Sequence, residues 1–190
     1  KSNAPRAEWH RFLNSVLYVA EHYCHVKELY TIGGMVSLSA HTFPRELLLV
    51  SNLSRMKTVL SRYDLTRGMD YETPPGQRPT LSSFLLWAAR NRDIPAASLW
   101  VPIPFYMVAA EDAAACRKVV DFFDQKLALG IDLRDLDEAV ASQNEKFTQI
   151  RFSFPEVDSI IRNLESNIAL SQEDSEKLAR DIEEYLKRIE

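Results

Sequence analysis

The chain has 190 residues, 46% of them apolar and 26% charged, with a formal net charge of −4. That is an ordinary profile for a globular protein with one substantial domain and a small appendage, and no run of about 18 apolar residues exists to span a membrane. Residues 1–150 hold 17 basic and 17 acidic side chains while 151–190 hold 6 and 10, so there is no basic stripe to displace counterions and no nucleic-acid partner is expected.

In chain order, Trp9, Leu13, Val16, Leu17, Ala20 and Cys24 recur at helical spacing and predict a first helix with one apolar face. Glu28 to Ile32 reads as a short strand stopped by Gly33 and Gly34. Leu47 to Val50 is short and apolar enough for a buried strand, and Ser51 or Asn52 is placed to cap a helix reaching about Tyr63. "DYETPPGQRP", residues 70–79, is loop by its prolines and glycine.

Thr80 caps the next predicted helix, "LSSFLLWAARNR". "ASLWVPIPFY" is a strand and its exit, where Pro102 and Pro104 oppose central pairing. Cys116, Val119, Val120, Phe123 and Leu127 mark a helix face that Gly130 can close. Asp132 begins another helix. "SFPE" and "SQED", at Ser153 and Ser171, look like two further helix starts with an acid three residues on. Leu178, Ile182, Tyr185, Leu186 and Ile189 face inward on the last.

Helices alternating with short apolar strands favour an α/β fold with a parallel sheet covered on both sides. The chain opens on a helix that ought to follow a strand, and only three strands can be counted. The expectation is a domain whose N-terminal portion precedes residue 1, or one that borrows a strand from elsewhere, with a body over 1–150 and a helical tail over 151–190.

"ELYTIGGMVSLSAHTFPRE" (Glu28 to Glu46), "PAASLWVPIPFYM" and "IDLRDLDEAV", in that order and separation, resemble the proteasome assembly chaperone family over roughly residues 6–150. The resemblance implies a three-layer α/β/α, phosphorylase/hydrolase-like fold with a C-terminal helical hairpin, and assembly into homo-oligomers. It also implies a crevice near Pro104 and Tyr106. Two departures stand out. "PPGQRPT" (Pro74 to Thr80) replaces a compact Gly-Pro turn. The family's proteasome-binding members end in a hydrophobic-tyrosine-any tripeptide, whereas this chain ends Arg188, Ile189, Glu190 with its nearest tyrosine at 185, so proteasome docking by the C-terminus is not expected.

The site candidates each have a structural alternative. Gly33 and Gly34 could let a ligand approach a bare strand end, but a tight turn needing positive φ is the favoured reading. No "GxGxxG" or "GxxxxGK[ST]" accompanies them, so no nucleotide or other cofactor is expected. His41, beside Ser37, Ser39, Thr42 and Arg45, combines a base with hydroxyls and an anion-holding arginine. It lacks a nucleophile elbow and a marked acid partner, so no catalytic residue is assigned.

His22, Cys24 and His25 lack the second ligand pair that a structural zinc site needs; a helix end is the better explanation and no metal is assigned. Glu111 and Asp112, like the acids from Asp132 to Glu138, read as helix-start chemistry. The candidate crevice therefore comprises Gly33, Gly34, His41, Arg45, Pro104 and Tyr106. Cys24 and Cys116 are too few for a disulfide framework and, with no apolar signal segment at the start, point to the cytoplasm. The function expected is a non-catalytic scaffold or assembly factor acting on protein partners. The rival is a phosphorylase-like enzyme or binder of a phosphate- or nucleoside-like ligand.

Overall fold

The computed structural model describes residues 5, 7–66 and 79–189. The expected loop over 70–79 therefore falls, but for Pro79, outside the described residues, as do most of "PPGQRPT" and the final Glu190. The elements run α1 (Trp9–His22), β1 (Leu29–Ser37), β2 (Leu48–Ser51), α2 (Ser54–Val59), α3 (Leu81–Arg90), β3 (Ala96–Pro104), α4 (Ala113–Leu127), α5 (Arg134–Ser153), α6 (Pro155–Glu165) and α7 (Gln172–Ile189). Short 3₁₀ turns at Leu60–Arg62 and Phe105–Met107 follow α2 and β3. The fold is α/β with a helical C-terminal region. Among the described residues no helix is long and apolar enough to cross a membrane.

The three strands lie in the order β1-β3-β2. Contacts advance together along β1 and β3, Thr31 meeting Ser98, then Gly33 meeting Trp100 and Gly34 meeting Ile103, as they do in a parallel pair. β2 departs from the all-parallel expectation: it runs antiparallel to β3, from Leu48 opposite Trp100 to Ser51 opposite Ala97. Trp100 is the last β3 residue to face β2, so Pro102 and Pro104 fall where β3 has no partner on that side. This is why a proline-bearing strand can sit in the middle of the sheet order.

Gly33 and Gly34 correct the sequence reading more sharply. β1 does not stop there but continues to Ser37, and neither glycine has positive φ. Their lack of a side chain serves packing instead. A Cβ on Gly33 would lie 2.8 Å from Trp100 Cζ3, and one on Gly34 3.0 Å from Ile103 Cγ1. Large β3 side chains thus lie across bare β1 backbone, one on each face of the strand.

The chain separates into two compact units, Lys1–Gly33 with Leu48–Trp100, and Gly34–Leu47 with Val101–Glu190. In the first, α1 packs on α3 around Leu17, Leu86, Ala88, Ala89, Ile94 and Ala96. Leu13 and Leu17 carry the buried face of α1 as its spacing predicts, while Val16 stands 41% exposed. Thr80 caps α3, its hydroxyl accepting from the Ser83 amide at 3.1 Å. Neither Ser51 nor Asn52 caps α2, which starts after an extended Leu53 with no side-chain cap. Asn52 instead links α3 to β3, its side-chain amide donating to the Leu86 and Ile94 carbonyls and accepting from the Ala96 amide at 2.8 Å.

In the second unit, Phe147 and Ile150 of α5, four apolar residues of α6 and Leu178 and Ile182 of α7 close around Ala40, Tyr106 and Met107. The helical tail thus builds its core on the loop after β1 and the turn after β3. α7 opens as its sequence predicts, Ser171 Oγ accepting from the Asp174 amide and donating to its carboxylate. α6 does not: Ser153 still belongs to α5, and Pro155 opens α6 at a position where its missing N–H costs nothing. α5 begins at Arg134, with Asp132 accepting from the Arg134 amide. α4 ends at Ala128, which takes the left-handed conformation expected of Gly130, though Gly130 also has φ 68°. Ala115 and Phe122 are its buried residues, so its inward face is rotated from the predicted one and Cys116 is exposed.

Candidate functional site

The loop after β1 carries the histidine and arginine that the sequence singled out. Ser37 Oγ accepts from the Ser39 amide at 3.1 Å, a local turn of the kind serine hydroxyls favour. This brings Ala40 into the core of the second unit and His41 against two aromatic rings. The imidazole stacks on Phe147, centroids 4.1 Å apart, and meets Tyr106 edge-on. The Tyr106 hydroxyl accepts from the His41 amide at 2.7 Å and lies 2.8 Å from Nδ1. The same hydroxyl thus serves both the backbone and the ring of His41, and the tautomer in which it donates to Nδ1 carries the ring proton on Nε2.

Burial, reinforced by the Arg151 and Arg45 charges, pushes the His41 pKa down to about 4. The ring is neutral at physiological pH. Burial likewise holds the Tyr106 phenol well above its ordinary value, so it keeps its proton. No carboxylate hydrogen-bonds His41 among the described residues. The arrangement lacks the acid that orients a histidine base and a nucleophile within its reach.

Arg45 is buried, and all three of its nitrogens contact the protein. Its Nε donates to Asp112 Oδ2 at 2.8 Å, with the two side chains 5% and 3% exposed. Nη1 donates to the His41 and Phe43 carbonyls and Nη2 points to Met107 Sδ. Asp112 is shared in turn, its other oxygen accepting from the Ala115 amide to cap α4. The pair closes a loop of backbone around itself, and each charge is compensated where burial alone would forbid it.

A second anchor ties the loop to the tail helices. Thr42 Oγ1 donates to Glu165 of α6 at 3.1 Å, and Arg151 of α5 grips the same carboxylate through both terminal nitrogens while its Nε holds Asp158. The Arg151 guanidinium keeps both carboxyls below the usual range. Sequence reasoning missed Arg151, Asp158, Glu165 and Phe147. The seven-residue spacing from Arg151 to Asp158 to Glu165 was the available signal, and the α5–α6 break disguised it.

Of the six predicted site residues, His41, Arg45 and Tyr106 come together in one cluster. Pro104 ends β3 immediately before the turn that carries Tyr106. Gly34 packs on Ile103 in the same unit, and Gly33 belongs with Trp100 in the other. Arg45 also borders a cleft of about 430 Å³, with Ser37, Ser39, Phe43, Pro44, Glu46 and Pro102. Near the end of α1, His22 stacks on Tyr18 and Nδ1 faces the Tyr18 carbonyl. Among the described residues no three His, Cys, Asp or Glu side chains gather as a metal would require.

A model of the PAC2 family matches residues 2–151. The chain belongs to the PAC2 family. Solved structures share its fold: a protein of unknown function from Corynebacterium glutamicum is 18% identical with a TM-score of 0.72, over 86% of this chain and 57% of that one. A proteasome-assembly chaperone homologue from Mycobacterium tuberculosis is 17% identical with a TM-score of 0.62, over 76% and 58%. An archaeal proteasome activator from Pyrococcus furiosus is 19% identical with a TM-score of 0.58, over 80% and 62%. This PAC2 chain therefore spans little more than half the length of the structures it matches. No curated protein matches it.

Proposed function

We propose that this PAC2 chain is a non-catalytic scaffold of the assembly-chaperone kind, working in the cytoplasm through protein partners and as a homo-oligomer. The observation that carries this reading is the internal bonding of the His41 cluster. All three nitrogens of Arg45 are turned to groups of the protein itself, and His41 is a half-buried neutral ring held by Tyr106. Such a cluster fixes a loop; its arginine is already paired with Asp112 and its histidine has no carboxylate to orient it as a base.

Apolar side chains meanwhile stand in water, Leu38 at 70% and Phe152 at 90% exposure, which suits function through surfaces. Two structures with this fold are a proteasome-assembly chaperone homologue and a proteasome activator, which supports proteasome-related clients. Exposed free thiols at Cys24 and Cys116 suit a reducing compartment. The rival site, the cleft of about 430 Å³ beside Arg45, has room for a small ligand. It lacks a free cation for a phosphate.

The test pairs two measurements on the purified chain. Sedimentation with proteasome subunits from its own source should give a stable complex. Incubation with nucleosides and inorganic phosphate should give no turnover. Turnover that disappears in His41→Ala would replace the scaffold with an enzyme.

A further inference from the structure

The first compact unit holds a second cleft, of about 180 Å³, between α3 and the β2–β3 face, lined among others by Ser51, Asn52, Leu86, Trp87, Arg90 and Trp100. Two features set it apart from a packing gap. Trp87 is an indole left 50% exposed, stacked on Phe84 at 5.2 Å between centroids, and Trp100, which also lines the cleft, lies against the bare backbone of Gly33. Among the described residues Arg90 is the one ionisable side chain lining the cleft, and it has no ion pair.

Together these groups specify a ligand. The indoles offer flat apolar surfaces that suit a ring. The single unopposed guanidinium calls for one negative charge, best presented as a planar carboxylate. The volume of about 180 Å³ falls below the roughly 300–1,000 Å³ of sites for drug-sized ligands and suits a single ring.

We propose that this cleft binds a small single-ring aromatic carboxylate, its ring against Trp87 and Trp100 and its carboxylate at Arg90. The site is separate from the His41 cluster, and binding there without turnover leaves the scaffold reading intact.

Titrating the chain with benzoate, while following indole fluorescence, tests the proposal. Benzoate should give a saturable change. Benzyl alcohol, which keeps the ring without the charge, and acetate, which keeps the charge without the ring, should each bind at least about tenfold more weakly, as loss of a charged hydrogen bond or of the ring contact requires. Arg90→Gln should weaken benzoate to the same degree, and Arg134→Gln, a fully exposed arginine of the other unit, should leave it unchanged. No saturable change, equal binding of benzoate and benzyl alcohol, or full affinity in Arg90→Gln overturns the proposal.

Discussion

At His41, burial and pH meet in one side chain. Its folded pKa of about 4 lies below the ordinary 6.5, so between those values the unfolded chain binds a proton that the native state refuses. Stability is therefore complete above about pH 6.5 and is lost as pH falls towards about 4, by on the order of 3 kcal/mol. Asp158 and Glu165 also lose native stabilisation in acid, so wild type alone cannot isolate the histidine. His41→Gln keeps an acceptor for the Tyr106 hydroxyl and does not titrate. Its melting temperature should fall less steeply than wild type over this window, and parallel curves would mean that His41 titrates as a free imidazole.

Gly33 tests packing at the same scale. A Cβ there meets Trp100 Cζ3 at 2.8 Å and Cε3 at 3.0 Å, so the indole must move. Gly33→Ala should cost about 1–3 kcal/mol by denaturant unfolding, the usual penalty of overpacking. In a Trp100→Leu background that penalty should largely vanish, because the clashing ring is gone. An equal cost in both backgrounds would place the strain in the backbone instead.

At the scale of elements, Asn52 is the joint of the first unit. It sits just past β2 and holds the carbonyls of Leu86 in α3 and Ile94, and the amide of Ala96 at the start of β3. The backbone amide of Asn52 itself donates to the Ala96 carbonyl at 3.0 Å. Asn52→Ala strands at least two of these partly buried groups and should cost about 2–3 kcal/mol. Asn52→Asp should cost a similar amount, since a carboxylate cannot donate to the two carbonyls. Chemical denaturation of both variants measures this, and a loss below about 1 kcal/mol in each would mean that water replaces the side chain.

What the sequence disclosed at this scale was local. The Thr80 and Ser171 caps, the apolar faces of α1 and α7 and the approximate strand positions all follow from neighbours within a turn or two. Gly33 and Gly34 misled because their partners, Trp100 and Ile103, are remote in sequence. A glycine that admits a cross-strand indole looks, locally, like a glycine in a turn. The direction of β2 had no local signal either, since a four-residue apolar run reads the same in both senses. The candidate site was legible in part for the same reason. His41 and Arg45 declared their chemistry, but only the fold shows Asp112, Tyr106 and Phe147 using that chemistry up.

For the molecule as a whole, the remaining question is one of surface. Val36 and Leu38, at the end of β1 and just after it, are 64% and 70% exposed. Both belong to the second unit and neither is part of its buried core around Phe147 and Ile161. Exposed apolar residues clustered along an edge strand are costly to leave in water and invite pairing with another chain. If a second copy covers them, sedimentation velocity should give a species heavier than the 21.8 kDa chain, growing with protein concentration as mass action requires. Val36→Glu with Leu38→Glu should shift the protein towards the monomer without lowering its melting temperature at low concentration, because neither side chain contributes to the folded core. A wild type that stays monomeric at every concentration would remove self-association from the scaffold model. A double variant that dissociates only by unfolding would show that these side chains support the fold itself.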